Sequence, residues 1–312
     1  MEKSKNLVVV SASPNYLASI NALFNSIDYH KIDTDVLLVS WRLPQEYIKK
    51  AQETFDFNII VVESEHEHQV QGTAIERFRY AVEYGKDYEA VCLLDADIFF
   101  TDNPSRFFYA ASKGVIITGH NGMHISFTKE HQRIYQCDLG VEEYPHYQIH
   151  TTAPIFLSPQ DLDWFDSLYK SERVDSFDDF LYLNVLGIKM GKIEKMICMP
   201  PYFFTQIHHF GIKPNTRIIE KGGVLLSETE ERICSVHGKW ENFGWYDGLM
   251  MPMQGYFEDN DFSKKHEERA LESREVVLNE FLRLCYKHKL NFKEFATIEW
   301  LENKMIEKGW AF

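Results

Sequence analysis

A chain of 312 residues with 45% hydrophobic and 14% aromatic side chains can bury a large core as one large domain or two small ones, which excludes a disordered or fibrous protein. Forty-seven acidic against 33 basic residues leave a formal charge of −14. That balance disfavours unaided binding to nucleic acid or an anionic membrane, because nonspecific affinity for phosphate comes from Lys and Arg.

The first hundred residues alternate between short apolar runs and amphipathic segments. "LVVVS" (7–11), "DVLLVS" (35–40), "NIIVVES" (58–64) and "AVCLL" (90–94) are expected as buried strands. Between them "YLASINALFNSI" (16–27), "PQEYIKKAQETF" (44–55), opened by Pro44, and "TAIERFRYAVEYG" (73–85), closed by Gly85, are expected as helices. This alternation predicts βαβ units and a parallel sheet covered on both faces. Further on, 114–120 and 153–158 are expected strands, while 121–150 is polar, aromatic and His-rich and is expected as loops with short strands. Helices are expected over 159–172 and 176–191, the latter breaking near Gly187. From about 262 the chain is charged and helical, and we divide it into residues 1–261 and a C-terminal helical extension, 262–312, packed on the main body or projecting from it.

The five cysteines, Cys92, Cys137, Cys198, Cys234 and Cys285, form no C-x-x-C pair, so free buried thiols are expected, not a zinc site or disulfide framework. The N-terminal apolar run is too short for a signal peptide and no stretch approaches about 18 apolar residues, so a soluble, cytoplasmic protein is expected.

The chemistry concentrates in "EAVCLLDADIFFTDNP" (89–104), where a buried strand stops on Asp95 and Asp97. Carboxylates there need compensation. Ligands of parallel sheets sit at strand carboxyl ends, and hard cations such as Mg²⁺ and Mn²⁺ are held by one or two carboxylates plus substrate phosphates. Two aspartates at i and i+2 leaving a strand can turn toward one ion.

"VCLLDADIFF" resembles the D-x-D signature of GT-A fold glycosyltransferases, in particular the retaining, glycogenin-like family 8. Over residues 7–240 other segments follow in the same order. "VVVSASPNYLASINALFNSI" is similar to the family's opening strand and nucleotide-contacting loop, with Ala12, Ser13 and Tyr16 on the nucleotide. "HTTAPIFLSP" is similar to an N-[SAT]-G-[VI] strand, with Thr151 and Ala153 in place of Asn and Gly and Thr152 beside the donor sugar. "DFLYLN" has the spacing of D-Q-x-x-x-N, with Phe180 in place of Gln. "ICSVHGKW" resembles a strand ending in H-x-x-G-x-x-K-P-W, shortened here.

The resemblance implies a Rossmann-like mixed sheet flanked by helices and a nucleotide-sugar donor, UDP-linked. Asp95, Asp97 and a histidine would hold Mn²⁺ or Mg²⁺, with Asp95 and Ala96 also at the donor. His237 is favoured as the third ligand over His209 in "HHFGIKP", because the apolar "ICSV" leads into it. It also implies a cation for the diphosphate on the helix before D-x-D. Arg77 and Arg79 both qualify: on a helical wheel Arg79 lies nearer the face of Ile75, Phe78 and Val82, whereas Arg77-Phe78 matches the family's basic–apolar pair. Lys239 would meet the outer phosphate, and Asp178 and Asp179 would lie at the reacting side or acceptor hydroxyl. The acceptor, whether saccharide, glycolipid, protein or modified nucleobase, is not legible in the sequence. Two other readings stand beside this one. A nucleotidyltransferase would show a Gly-rich phosphate loop that "SASPNYLAS" lacks, and a degenerate GT-A domain could serve as a binding module. The loop "SEHEHQVQG" (64–72) offers no closed ligand set and is expected to be solvated.

Overall fold

The computed structural model describes residues 4–67, 75–134, 140, 142–170, 179–200, 203–206, 217–238 and 261–309. Its strands are β1 (Asn6–Ala12), β2 (Asp35–Ser40), β3 (Ile59–Glu63), β4 (Ala90–Leu94), β5 (Ile98–Phe100), β6 (Ile116–Thr128), β7 (Glu143–Leu157), β8 (Met196–Met199), β9 (Phe204–Gln206), β10 (Ile219–Lys221), β11 (Val224–Leu226) and β12 (Ser235–His237). Its α-helices are α1 (Leu17–Tyr29), α2 (Gln45–Thr54), α3 (Glu76–Gly85), α4 (Ser105–Ser112), α5 (Lys129–Ile134), α6 (Asp163–Tyr169), α7 (Asp179–Lys189), α8 (Asp261–Tyr286) and α9 (Glu299–Glu307).

Seven strands form the main sheet in the order β3-β2-β1-β4-β7-β6-β8. The first four run parallel, as their continuous apolar sequences require, and β7 is antiparallel to β4 and β6. The sheet is therefore mixed, with helices on both faces. Side chains alternate across a strand, so β1, β2 and β4 supply two cores at once. Val8, Val10, Val36, Leu38, Cys92 and Leu94 point into one, with α1 and α8. Leu7, Val9, Leu37, Val39, Val91 and Leu93 point into the other, with Phe78 and Ala81 of α3 and Trp164 and Phe165 of α6. The chain changes direction across the sheet at β1–β4, and the carboxyl ends of those two strands border the crevice where α/β proteins bind ligands.

Helix α1 is buried from Leu17 to Asp28, although its sequence carries polar residues. The C-terminal helices explain this. Val277, Leu278, Phe281 and Leu282 of α8 join the α1 core. Asn25 Nδ2 donates to the carbonyls of Leu284 and Leu290, both at 2.8 Å, and its Oδ1 accepts the Leu290 N–H at 3.0 Å. Asn21 donates to Cys285 and Leu290 carbonyls at 3.1 and 3.0 Å. These amides satisfy the orphan carbonyls where α8 ends. Of the two expected arrangements for the C-terminal helices, the chain adopts packing rather than projection.

Three sequence expectations are corrected. Within 121–150, expected as loops with short strands, residues 121–128 instead extend β6, 129–134 form α5 and 143–150 extend β7, and the β6–β7 register shifts between Thr118 and Phe127. Irregular pairing of that kind blurs the alternation that identifies a strand. Helix α7 runs through Gly187 without breaking. The glycine is there for contact, since a Cβ would meet Trp164 Cζ2 at 3.1 Å. The segment from 159 divides into a 3-10 turn, Pro159–Asp161, followed by α6. At that turn Asp161 is fully buried and accepts from Lys192 at 2.9 Å and Lys195 at 3.1 Å. Among the described residues Cys92, Cys198, Cys234 and Cys285 are free as expected, three of them buried and Cys198 only half-buried; burial pushes the Cys198 thiol up to about 11.

Asn25→Ala strands the Leu284 carbonyl and the Leu290 N–H, while Asn21 still serves the Leu290 carbonyl, and should destabilise the chain by about 3 kcal/mol in urea unfolding. For Asp161, burial raises the carboxyl pKa, but hydrogen bonds and charge from Lys192 and Lys195 outweigh it and hold the group below its ordinary value. Its contribution is therefore complete above about pH 4 and is lost as pH falls through the lowered value. Asp161→Asn should cost about 3 kcal/mol at pH 7, and the difference from the native chain should shrink in acid.

Candidate active site

The apolar strand β4 ends at Leu94, and a tight turn follows, closed by the Ile98 N–H to the Asp95 carbonyl at 3.2 Å. This turn moves the chain out of the main sheet into β5, the edge of a three-stranded sheet ordered β5-β12-β9. Strand β12 pairs antiparallel with β5, placing His237 opposite Ile98. The Gly238 N–H then donates to the Asp97 carbonyl at 3.0 Å, and Thr101 anchors the other end of the pairing through its Oγ1 to the Ile233 carbonyl at 2.6 Å. Two segments far apart in sequence are thereby fixed side by side.

Asp95, Asp97 and His237 each present a ligand atom within 4.8 Å of the others. His237 Nε2 lies 3.0 Å from Asp97 Oδ1 and 3.4 Å from Asp95 Oδ2. The Asp97 and His237 side chains are nearly buried, at 7% and 11% exposure, while Asp95 at 24% opens the group to solvent. Two carboxylates and one imidazole fit a divalent ion that accepts both oxygen and nitrogen, as Mn²⁺ does; Mg²⁺ is the harder and more oxygen-selective alternative.

Arg77 joins this group. Its Nη1 donates to Asp95 Oδ1 and to the Leu94 carbonyl, the latter at 3.3 Å. Its side chain is only 5% exposed. The helical wheel placed Arg79 nearer the buried face, and the structure reverses that order. Helix α3 starts only at Glu76, and a guanidinium is drawn inward where a carboxylate and a carbonyl receive it. Arg79 is half-buried instead, donating to Glu65 Oε2 at 3.0 Å, a bond that raises its pKa.

The other candidates fall along the same edge. Ala12 ends β1, and Ser13 precedes a 3-10 turn, Pro14–Tyr16, whose Tyr16 packs partly buried on the core. Ala96 is buried in the turn between the two aspartates. Thr152 lies on β7 three residues before Ile155, the partner of Leu93, so antiparallel pairing runs its backbone toward the end of β4. Asp179 opens α7. Asp178, Lys239, His209 and most of the 64–72 loop lie outside the described residues. Glu65 and His66 of that loop approach Arg79 and Glu76, and Glu76 is buried. Sequence reasoning missed Trp41, whose backbone N–H donates to the Ala12 carbonyl at 2.9 Å and whose Nε1 donates to the His66 carbonyl at 3.1 Å. It sits beside the nucleotide-side residues only because β1 and β2 pair, and no local signal announces that.

No protein-family model matches the chain, and no curated protein matches it in sequence. Solved structures similar to it include the apo form of WbbM, a bifunctional glycosyltransferase, with a TM-score of 0.49 at 12% identity over 86% of this chain and 52% of that one. The chain thus spans about half of WbbM. The galactosyltransferase LgtC, solved with donor and acceptor sugar analogs, is similar with a TM-score of 0.48 at 11% identity over 86% of this chain and 96% of LgtC. GlyE of Streptococcus pneumoniae TIGR4, a glycosyltransferase, is similar with a TM-score of 0.45 at 12% identity, covering 90% and 63%. The chain's own architecture is a mixed sheet flanked by helices, with Asp95 and Asp97 at the carboxyl end of β4, as expected of its fold class. Among the described residues no helix is long and apolar enough to cross a membrane.

Proposed function

We propose that this chain is a metal-dependent glycosyltransferase that moves a sugar from a nucleotide-sugar donor, a UDP-sugar, to an acceptor with retention of configuration. One observation carries the reading: Asp95, Asp97 and His237 converge within 4.8 Å at the carboxyl end of β4. In the proposal these three residues hold Mn²⁺ or Mg²⁺. Such an ion, when bound, supplies a Lewis acid for the donor's diphosphate oxygens and offsets the charge gained by the departing nucleoside diphosphate.

The chain's own residues complete the task. Ala12, Ser13 and Tyr16, at the end of β1, receive the nucleoside, with the Tyr16 ring as an apolar face. Ala96 and Thr152 border the donor sugar between β4 and β7. Arg77 adds a fixed positive charge beside Asp95, which favours an anionic ligand in the crevice. Lys239 follows Gly238 directly and brings a second cation to the outer phosphate, where preorganised charge is most effective as the leaving group departs. In this reading Asp178 and Asp179 take the side of the reacting carbon or of the acceptor hydroxyl. Retention follows the resemblance to the glycogenin-like family; a general-base role for Asp178 or Asp179 on the acceptor would instead give inversion.

A panel of nucleotide-sugars tests this directly. Nucleoside diphosphate release should be stimulated by Mn²⁺, abolished by EDTA and restored by added metal. The Asp95→Ala/Asp97→Ala variant should lose at least about 100-fold in rate, the scale of removing an electrostatic stabiliser. Donor binding without turnover, unaffected by Asp97→Ala, would establish a binding module instead. Neither release nor binding for any donor would remove the proposal.

A further inference from the structure

We propose that Arg77 is a positioning residue for the metal site: it occupies one oxygen of Asp95 so that the other is presented toward Asp97 and His237. This rests on the metal-dependent reading above and adds a role for Arg77 distinct from contact with a donor. The two oxygens of Asp95 have different partners. Oδ1 accepts from Arg77 Nη1, whereas Oδ2 lies 3.4 Å from His237 Nε2. The same Nη1 reaches the Leu94 carbonyl at 3.3 Å, so the guanidinium ties the carboxylate to the last peptide of β4. The guanidinium carbon also lies 5.2 Å from the centre of the neighbouring Phe78 ring, itself fully buried in the core.

Asp95 needs such a hold more than Asp97 does. Asp97 is buried and its residue is fixed through its carbonyl by the Gly238 N–H at 3.0 Å. The Asp95 side chain is 24% exposed and stands at the mouth of the group. A like-charged neighbour pushes it outward toward water. A buried guanidinium on Oδ1 opposes that rotation and leaves Asp95 a one-oxygen ligand through Oδ2.

Two effects of opposite sign compete when metal binds. A fixed cation near a divalent ion repels it, while a carboxylate held in place gives up little freedom on ligation. Outer-shell groups that orient a ligand typically contribute 10–100-fold to metal affinity, and orientation should prevail because Asp95 supplies the intervening negative charge. Removing Arg77 should therefore weaken metal binding, although it removes a positive charge.

The test is Mn²⁺ titration of the full chain by electron paramagnetic resonance, with no donor present. Arg77→Gln should weaken Mn²⁺ about 10–100-fold and alter the bound-Mn²⁺ spectrum. Arg77→Lys, which keeps a donor for Oδ1, should recover part of the loss. Unchanged or tighter Mn²⁺ binding in Arg77→Gln would overturn the inference while leaving the transferase reading intact. If Arg77→Gln fails a folding check by circular dichroism, Arg77→Lys decides: weakening of several-fold supports the role, and native affinity overturns it. A native chain that binds Mn²⁺ no better than Asp97→Ala overturns the metal-dependent reading itself.

Discussion

Two carboxylates brought within 4.8 Å at the end of a buried strand repel each other, by about 3 kcal/mol at an effective dielectric of 20. Everything around Asp95 and Asp97 bears on that repulsion. Arg77 meets one from α3 and His237 approaches both from β12. The turn between them passes the chain from the large sheet to the small one, so the two carboxylates come from the junction of two sheets. A structure that concentrates like charge at such a junction is prepared for a cation, and the proposed chemistry is a consequence of that arrangement.

The small sheet has little core of its own and depends on the large one. Ser235, Val236 and His237 pair with Phe100, Phe99 and Ile98, and Phe99 packs near Phe281 of α8 at 6.1 Å between ring centres. Helix α8 in turn is held to α1 by Asn21 and Asn25. The position of His237 is thus linked, through packed side chains, to a helix that begins after residue 260. That chain of contacts gives the C-terminal segment a part in the site without placing one of its residues there.

The carboxyl edge of the sheet orders the remaining candidates along one line. Trp41, Ala12 and Ser13, Arg77 and Asp95, and then the backbone of Thr152 follow the strand order β2-β1-β4-β7. Strands are about 4.8 Å apart, so in the proposed binding mode a donor held by its diphosphate at β4 would extend its nucleoside over β1 toward β2. The electrostatics agree in sense: the acidic chain keeps a buried cation, Arg77, at the one point on this edge where anionic phosphates are proposed to lie.

Legibility in the sequence followed the range of the forces involved. The parallel strands and the helices between them were readable, because burial on both faces writes continuous apolar runs and one-sided burial writes helical periodicity. The D-x-D at a strand end was readable for the same reason, since charge is out of place next to a buried strand. The β6–β7 pairing was not, because its irregular register erases the alternation. Arg77 over Arg79 was not, because the choice depends on where α3 starts and on a carboxylate 18 positions away. The sequence by itself determined the four parallel strands, the helices between them and the pair Asp95 and Asp97, all products of local patterning. Only the tertiary structure brought His237 beside them and decided which arginine faces them, because β-pairing and buried ion pairs are made between residues that no local pattern connects.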